Sequence, residues 1–325
     1  MIYDKVYVGT SLSMLFYINA THKKEENFII LNKEDYYGGA WYTKSNSHCL
    51  NFDQAGHFII IRNFDNLQKV LELFKNINIK MKNQSAEIKN ENYKFIHESI
   101  ILYPEHGWNS LTNALVNNIG SSNIFLNNEV VDINAPSNAD NIIDVTIKGK
   151  NEIKTIRTRE LFLPSYIKLN NITINGKEIK LHSKRCMTYH VILYCKIDKN
   201  KYDNSFHGFY NGDSYFDRLT SVCNKNKMTD IDVTNQLLVL RVSRNFKDSI
   251  CSASKDDITK YFYKFISKHN IILPNLKIND VELCDYEFCD RQNKIEELIT
   301  NINFEKTKIN LLNTTDVGSL IERII

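Results

Sequence analysis

Apolar positions early in the chain fall into two short runs separated by one helical stretch. Residues 6–15 (Val-Tyr-Val-Gly-Thr-Ser-Leu-Ser-Met-Leu) read as a strand running straight into a helix, and residues 27–32 (Asn-Phe-Ile-Ile-Leu-Asn) as a second strand. Strand, tight turn, helix, strand is a βαβ unit, with its turn where a helix N-terminus can meet a pyrophosphate. Farther on, Leu67, Val70, Leu71, Leu73 and Phe74 recur at helical spacing and predict a helix over 63–80, with Asp65 as its N-cap. The polar stretch Asn83–Tyr93 predicts a mobile surface loop or lid. A helix over 105–118 follows Pro104, amphipathic through Trp108, Leu111, Leu115 and Val116, with Gly120 as its stop.

Alternating segments at 124–133, 142–148, 153–157 and 161–164 predict a small meander leading back to the parallel sheet. Strands over 187–197, 206–210, 215–222 and 237–243 predict an antiparallel sheet, read as the floor of a substrate site. Asp256–His269 reads as a helix with Ile258, Tyr261, Phe262, Phe265 and Ile266 on one face. A strand over 281–288 and helices over 294–302 and 318–325 complete the chain.

Against the dinucleotide fingerprint G-x-G-x-x-G, the three glycine places read Gly9, Ser11 and Met14. Gly9 keeps the tight turn. Ser11 puts a small hydroxyl where backbone approaches phosphate, and Met14 predicts a helix set outward or tilted from the strand. The acid expected at the end of the second strand is Asn32, which accepts from a ribose hydroxyl without charge; Glu34 and Asp35 stand just beyond as substitutes. Gly38-Gly39 then lets backbone pass close to a dinucleotide, since neither carries a Cβ. A plain α/β core turn is the alternative reading of these glycines.

With these segments in order, the chain resembles the glutathione-reductase-type FAD proteins: flavin amine oxidases, protoporphyrinogen oxidases and, most of all, UDP-galactopyranose mutases. The resemblance rests on Val8-Gly9-Thr-Ser-Leu-Ser-Met-Leu15 and Gly38-Gly39-Ala-Trp-Tyr-Thr43. It continues through Phe52-Asp-Gln-Ala-Gly-His57-Phe-Ile, Tyr103-Pro-Glu-His-Gly-Trp-Asn-Ser-Leu111 and Ile124–Ile133. Gly208–Leu219, which holds Tyr215 and Arg218, is similar to the mutase strand P-Y-T-R.

What the resemblance implies is an α/β fold: a Rossmann-like FAD-binding domain with an inserted antiparallel-sheet substrate domain and a reduced helical segment. The boundaries it gives are 1–60, 103–180 and 290–325 for the FAD-binding parts, 61–102 for the short helical segment and 181–289 for the substrate sheet. The final helix would pack on the nucleotide domain, so the two chain ends would meet. The implied cofactor is FAD, held by Gly9, Thr10, Ser11, Leu12, Asn32, Lys33, Gly38, Gly39, Ala40, Trp41, Val130, Thr315 and Val317. Catalysis is assigned to His57 and Arg218, and substrate contact to Tyr215, Arg218 and Arg241. Departures are visible too. Only about fifty residues stand where the mutases carry a far longer helical domain with a second diphosphate-binding arginine. The C-terminal Gly-Arg or Gly-Asp motif is replaced by residues 310–319, Asn-Leu-Leu-Asn-Thr-Thr-Asp-Val-Gly-Ser.

Each candidate has a plainer reading. His57 is either an acid–base group or a polar residue after Gly56. Arg218 either forks onto a phosphate or carboxylate, or makes a surface ion pair. Arg241 and Arg244, three apart, are expected on opposite strand faces. Trp41, Tyr42 and Tyr103 wall a flavin or fill the core. Cys49 is a nucleophile or an inert thiol.

Composition narrows the class. The 325 residues are 42% apolar and 24% charged with net charge +3, an ordinary globular balance with Lys and acid intermixed, which gives no case for a nucleic-acid partner. Seven scattered cysteines without a C-x-x-C pair predict reduced thiols and a cytoplasmic location, and no His/Cys cluster has metal-ligand spacing. The first strand begins at once, which predicts no targeting segment, and no apolar run approaches the roughly 18 residues of a membrane span. Three functions stand: an FAD-dependent oxidoreductase acting on a small molecule, a UDP-galactopyranose-mutase-like enzyme acting on a nucleotide sugar, and a non-catalytic relative without flavin.

Overall fold

The computed structural model describes residues 1–23, 25–43, 57, 59–61, 63–90, 93–135, 142–164, 171–174, 177–179, 185–197, 207–209, 214–221, 235–273, 275–289, 308–312 and 317–324. Thr315, Cys49, residues 52–56 and the helix expected over 294–302 lie outside them. The chain divides into two compact units, residues 1–42, 112–186 and 288–325 in one, and 43–111 and 187–287 in the other.

Along the chain the first half reads β1 (Ile2–Val8), α1 (Leu12–Thr21), β2 (Phe28–Leu31), β3 (Ile59–Ile61), α2 (Leu67–Asn76), β4 (Met81–Asn90), β5 (Tyr93–Pro104) and α3 (Trp108–Ile119). Then come β6 (Ile124–Phe125), β7 (Glu129–Ala135), β8 (Ile143–Lys148), β9 (Ile153–Pro164), β10 (Asn171–Ile174) and β11 (Lys177–Ile179). The rest is β12 (Arg185–Lys196), β13 (His207–Phe209), β14 (Phe216–Ser221), β15 (Asn235–Val242), α4 (Lys247–Cys251), α5 (Lys255–Lys268), β16 (Lys277–Cys289), β17 (Ile309–Leu312) and α6 (Val317–Ile324).

The first unit is a mixed sheet. Parallel strands run β6–β2–β1–β9–β17, with Val6 opposite Ile29 and Leu161. Such strands are covered on both faces, which is why β2 is apolar throughout (Phe-Ile-Ile-Leu) and wholly buried. Strand β9 does two jobs. Its first half pairs antiparallel with β8 and its second half parallel with β1, so the meander does return to the parallel sheet.

Two expected strands, 153–157 and 161–164, are therefore one. The polar link Thr158-Arg-Glu160 stays in the strand because Arg159 reaches Asp4 on β1 (2.7 Å) and Glu160 accepts from Asn310 on β17 (2.8 Å). The expected strand 124–133 is instead two, β6 and β7, parted by a turn in which Asn127 takes φ 57°. Helix α1 is buried on nearly every side: Leu12, Met14, Leu15 and Ile18 are fully enclosed. Met14 thus fills core, and burial of a side chain this size contributes about 1.5–3 kcal/mol. Helix α6 packs against α1, so the two ends of the chain do meet.

The second unit is an eight-stranded sheet in the order β16–β12–β15–β14–β13–β4–β5–β3; from β12 to β3 the pairs are antiparallel except where β13 meets β4. Helix α5 covers one face: Ile258, Phe262 and Phe265 pack with Val191, Leu193, Leu219, Leu238 and Leu240. Its start is capped by Ser254, whose Oγ accepts from Asp257 N at 3.2 Å and donates to the Asp257 carboxylate at 2.7 Å. Two expectations are corrected here. Residues 83–90 are not a loop but part of strand β4, which pairs antiparallel with β5 from Tyr93 on, so the described residues after α2 are strands rather than helical. Asp65 does not cap α2; Asn63 caps the helical turn 64–66 that leads into it, its Oδ1 accepting from Asp65 N at 3.0 Å.

Candidate functional site

The turn between β1 and α1 is drawn tight by backbone bonds. Gly9 N donates to Leu31 O at 2.7 Å, holding the turn to the next strand. Gly9 takes φ 90°, a conformation that costs an L-residue strain, and a Cβ built there meets no atom of the described residues within 4 Å. Among the described residues the turn therefore has open space at Gly9. Ser11 closes it by capping α1, its Oγ accepting from Met14 N at 3.3 Å. The free first-turn amides of a helix carry its positive dipole end, which favours anions.

The Gly-Gly segment is laid against this turn. Gly38 N donates to Thr10 O at 2.9 Å, and Ser11 and Gly38 form a parallel bridge. Gly38 has φ 97°, and a Cβ there would lie 3.2 Å from Thr112 Oγ1; one on Gly39 would lie 3.8 Å from Ser11 Cα. Gly39, Ala40 and Trp41 form a helical turn, and Tyr42 stacks on Tyr36 at 4.3 Å. So Gly9, Thr10, Ser11, Leu12, Gly38 and Gly39 are brought together, with Ala40 and Trp41 following directly. The Thr10 hydroxyl is buried in this turn without a hydrogen-bond partner among the described residues.

Asn32 is buried, and its side-chain amide donates to Glu34 O (3.2 Å) and Tyr36 O (2.9 Å). Its backbone joins the strand end to the β6–β7 turn through Asn32 N to Phe125 O and Asn128 N to Asn32 O. Lys33 follows it at the surface, 3.2 Å from Glu34. Val130 is buried on β7 opposite Ile147, and Val317 is buried at the start of α6.

In the second unit, strand register sets His190, Arg241 and Arg218 in one row across β12, β15 and β14. Val191 and Leu240, their neighbours along the strands, belong to the α5 core, so alternation puts the row on the other face. Arg218 Nη2 lies 2.9 Å from His190 Nε2. Arginine only donates, so in this contact the His190 Nε2 is the acceptor. Arg241 Nε donates to Asp217 Oδ1 at 2.5 Å, the aspartate standing at the bulge of β14.

Tyr215 lies elsewhere. It stacks on Tyr261 of α5 at 4.1 Å and packs on Phe246, on the helix side of the sheet. Arg244 sits in the helical turn after β15, not in the strand. Tyr103 is core, edge-on to Trp108 at 5.0 Å. His57 is half-buried in this second unit. Sequence reasoning missed His190 and Asp217, although alternation within Tyr189-His-Val-Ile-Leu193 already places His190 with Ile192 rather than with Val191. It also missed Asn109, which clamps the Thr43 backbone with two bonds of 2.9 Å.

Several solved structures are similar to this chain. A protoporphyrinogen oxidase homologue from Exiguobacterium sp. 255-15 matches 99% of this chain and 98% of its own, at 11% identity and TM-score 0.62. Reduced UDP-galactopyranose mutase matches 100% of this chain and 93% of its own, at 11% identity and TM-score 0.67. Putrescine oxidase bound to putrescine matches 99% and 98%, at 9% identity and TM-score 0.61. The chain has the fold these enzymes share. No family model matches the sequence, and no curated protein does.

Proposed function

We propose that the chain is an FAD-dependent oxidoreductase of the flavin-amine-oxidase-like superfamily, acting on a small-molecule substrate. The observation that carries this reading is the Gly9–Leu12 turn, with its positive φ, the open space in front of Gly9 and the helix N-terminus behind it. That donor set fits a diphosphate. The buried Thr10 hydroxyl fits as well, since a phosphate oxygen is a partner it otherwise lacks. Asn32 would receive the ribose with a neutral oxygen, its N–H groups already holding the Glu34–Tyr36 loop.

Bound FAD supplies the two-electron chemistry. The α1 N-terminus and Gly38–Gly39 would hold the diphosphate, and Asn32, Lys33 and the Val130 backbone would hold the adenosine end. Thr315 and Val317 are assigned to the flavin end by the resemblance. Arg218 and Arg241 are assigned to an anionic part of the substrate, with His190 keeping the Arg218 fork in one orientation. His57 is the acid–base candidate. Among the described residues no helix is long and apolar enough to cross a membrane; the cytoplasmic location remains part of this proposal.

A second reading, a UDP-galactopyranose-mutase-like enzyme, is favoured by Arg218, because a guanidinium presented on a sheet face suits a diphosphate. The two separate by experiment on FAD-reconstituted protein. Anaerobic bleaching of the flavin by an amine supports the oxidoreductase. Tight binding of a nucleotide sugar that Arg218→Ala abolishes supports the mutase. Failure to take up FAD refutes both.

A further inference from the structure

A polar pocket of about 290 Å3 opens beyond the end of β2. Lys33 and Glu34 line it from the β2 side, and Glu129, Lys148 and Lys150 from the β7–β8 side. The two sides are tied together by backbone bonds, Asn127 N to Glu34 O at 3.1 Å and Asn128 N to Asn32 O at 2.8 Å. The backbone on the two sides of the pocket is therefore joined before any ligand binds.

The charge count leaves a surplus cation. Lys33 is matched by Glu34 at 3.2 Å, and Lys148 stands opposite Glu129 in strand register. Neither Lys148 nor Lys150 has an ion-pair partner among the described residues. Residue 32, at the neighbouring strand end, is a neutral amide; the carboxylates in the lining are Glu34, 3.2 Å from Lys33, and Glu129, opposite Lys148, which leaves Lys150 as the surplus cation. A neutral residue at this strand end with cations beside it is the arrangement that suits a phosphorylated ribose rather than a bare 2′-hydroxyl.

We propose that this pocket binds a phosphoryl dianion, carried either by free inorganic phosphate or by the ribose of an adenine nucleotide. Lys148 and Lys150 supply the charge-assisted hydrogen bonds and Lys33 completes the rim. The proposal goes beyond the flavin reading and does not depend on it.

The test is calorimetric titration of the full chain at low salt with inorganic phosphate, adenosine 2′-phosphate and adenosine, each with and without FAD. The expected result is binding of the two phosphoryl ligands and none of adenosine. Lys148→Ala/Lys150→Ala should weaken binding about tenfold or more, while Lys154→Ala, on a lysine outside the pocket, changes it less than about twofold. Affinity in the unmodified chain should also fall steeply with added salt.

Displacement of adenosine 2′-phosphate by FAD assigns the dianion to a nucleotide lying on the Gly9 turn. Phosphate binding that ignores FAD assigns it to a free anion; either supports the site. No phosphoryl binding, or binding indifferent to the double substitution, overturns it. Uptake of FAD without phosphoryl binding defeats the pocket alone, and phosphoryl binding without FAD uptake defeats the flavin reading alone.

Discussion

Replacing Gly9 by Ala separates the two things this glycine does. At φ 90° the alanine pays backbone strain of about 1–3 kcal/mol. It adds no steric cost, because a Cβ there has no atom within 4 Å, and the Gly9 N to Leu31 O bond survives. For a chain of 325 residues, about 2 kcal/mol lowers Tm by roughly 3 °C and leaves the protein folded at room temperature. The new methyl group occupies the space proposed for a diphosphate, so FAD affinity should fall by about 30-fold or more, equivalent to about 2 kcal/mol. Thermal melting by circular dichroism and fluorescence titration with FAD measure the two effects on one preparation. A folded Gly9→Ala protein that binds FAD as tightly as the unmodified chain would refute the reasoning. Complete unfolding would show that the space before the turn is not open.

Three further outcomes are expected. Gly38→Ala should cost more stability than Gly9→Ala, by about 1 kcal/mol, because the same kind of φ strain is joined by a contact 3.2 Å from Thr112 Oγ1; denaturant unfolding compares them. Asn32→Asp, which would bring back the acid expected from the dinucleotide pattern, should destabilise by about 2–4 kcal/mol, since it sets a buried carboxylate against the Glu34 and Tyr36 carbonyls that the amide now bonds; a variant as stable as the parent in urea would contradict this. The N–H of Asn27, then Arg159, holds Asp4 below the usual carboxylate range, and Lys5 does the same for Glu26. Both carboxylates bind protons less tightly folded than unfolded, so their stabilisation is present above the ordinary carboxylate pKa and is lost as pH falls through the lowered values. Glu26→Gln should flatten that acid limb of a Tm-versus-pH curve, and an unchanged limb would count against it.

The βαβ opening was legible because its signals are local: an apolar strand, a glycine that must turn, a serine that caps. The hairpin over 81–104 was not. Its first strand, Met-Lys-Asn-Gln-Ser-Ala-Glu-Ile-Lys-Asn, has a loop's composition, and it becomes a strand only through partners on β5 and β13, the latter more than a hundred residues away. The break expected in β9 failed for a related reason, since Arg159 and Glu160 find polar partners on β1 and β17 that no local window contains. Met14 lies in the core, on an apolar helix buried nearly all round. On the second sheet, Arg218 and Arg241 were visible as cationic candidates. The imidazole and carboxylate that orient them depend on strand register, which sequence spacing alone does not set.

The visible spectrum of the chain purified in the presence of FAD, and then freed of unbound cofactor, tests the central claim most directly. The account predicts a flavin band near about 450 nm at close to one FAD per chain. A spectrum showing only the aromatic band of the protein would contradict it.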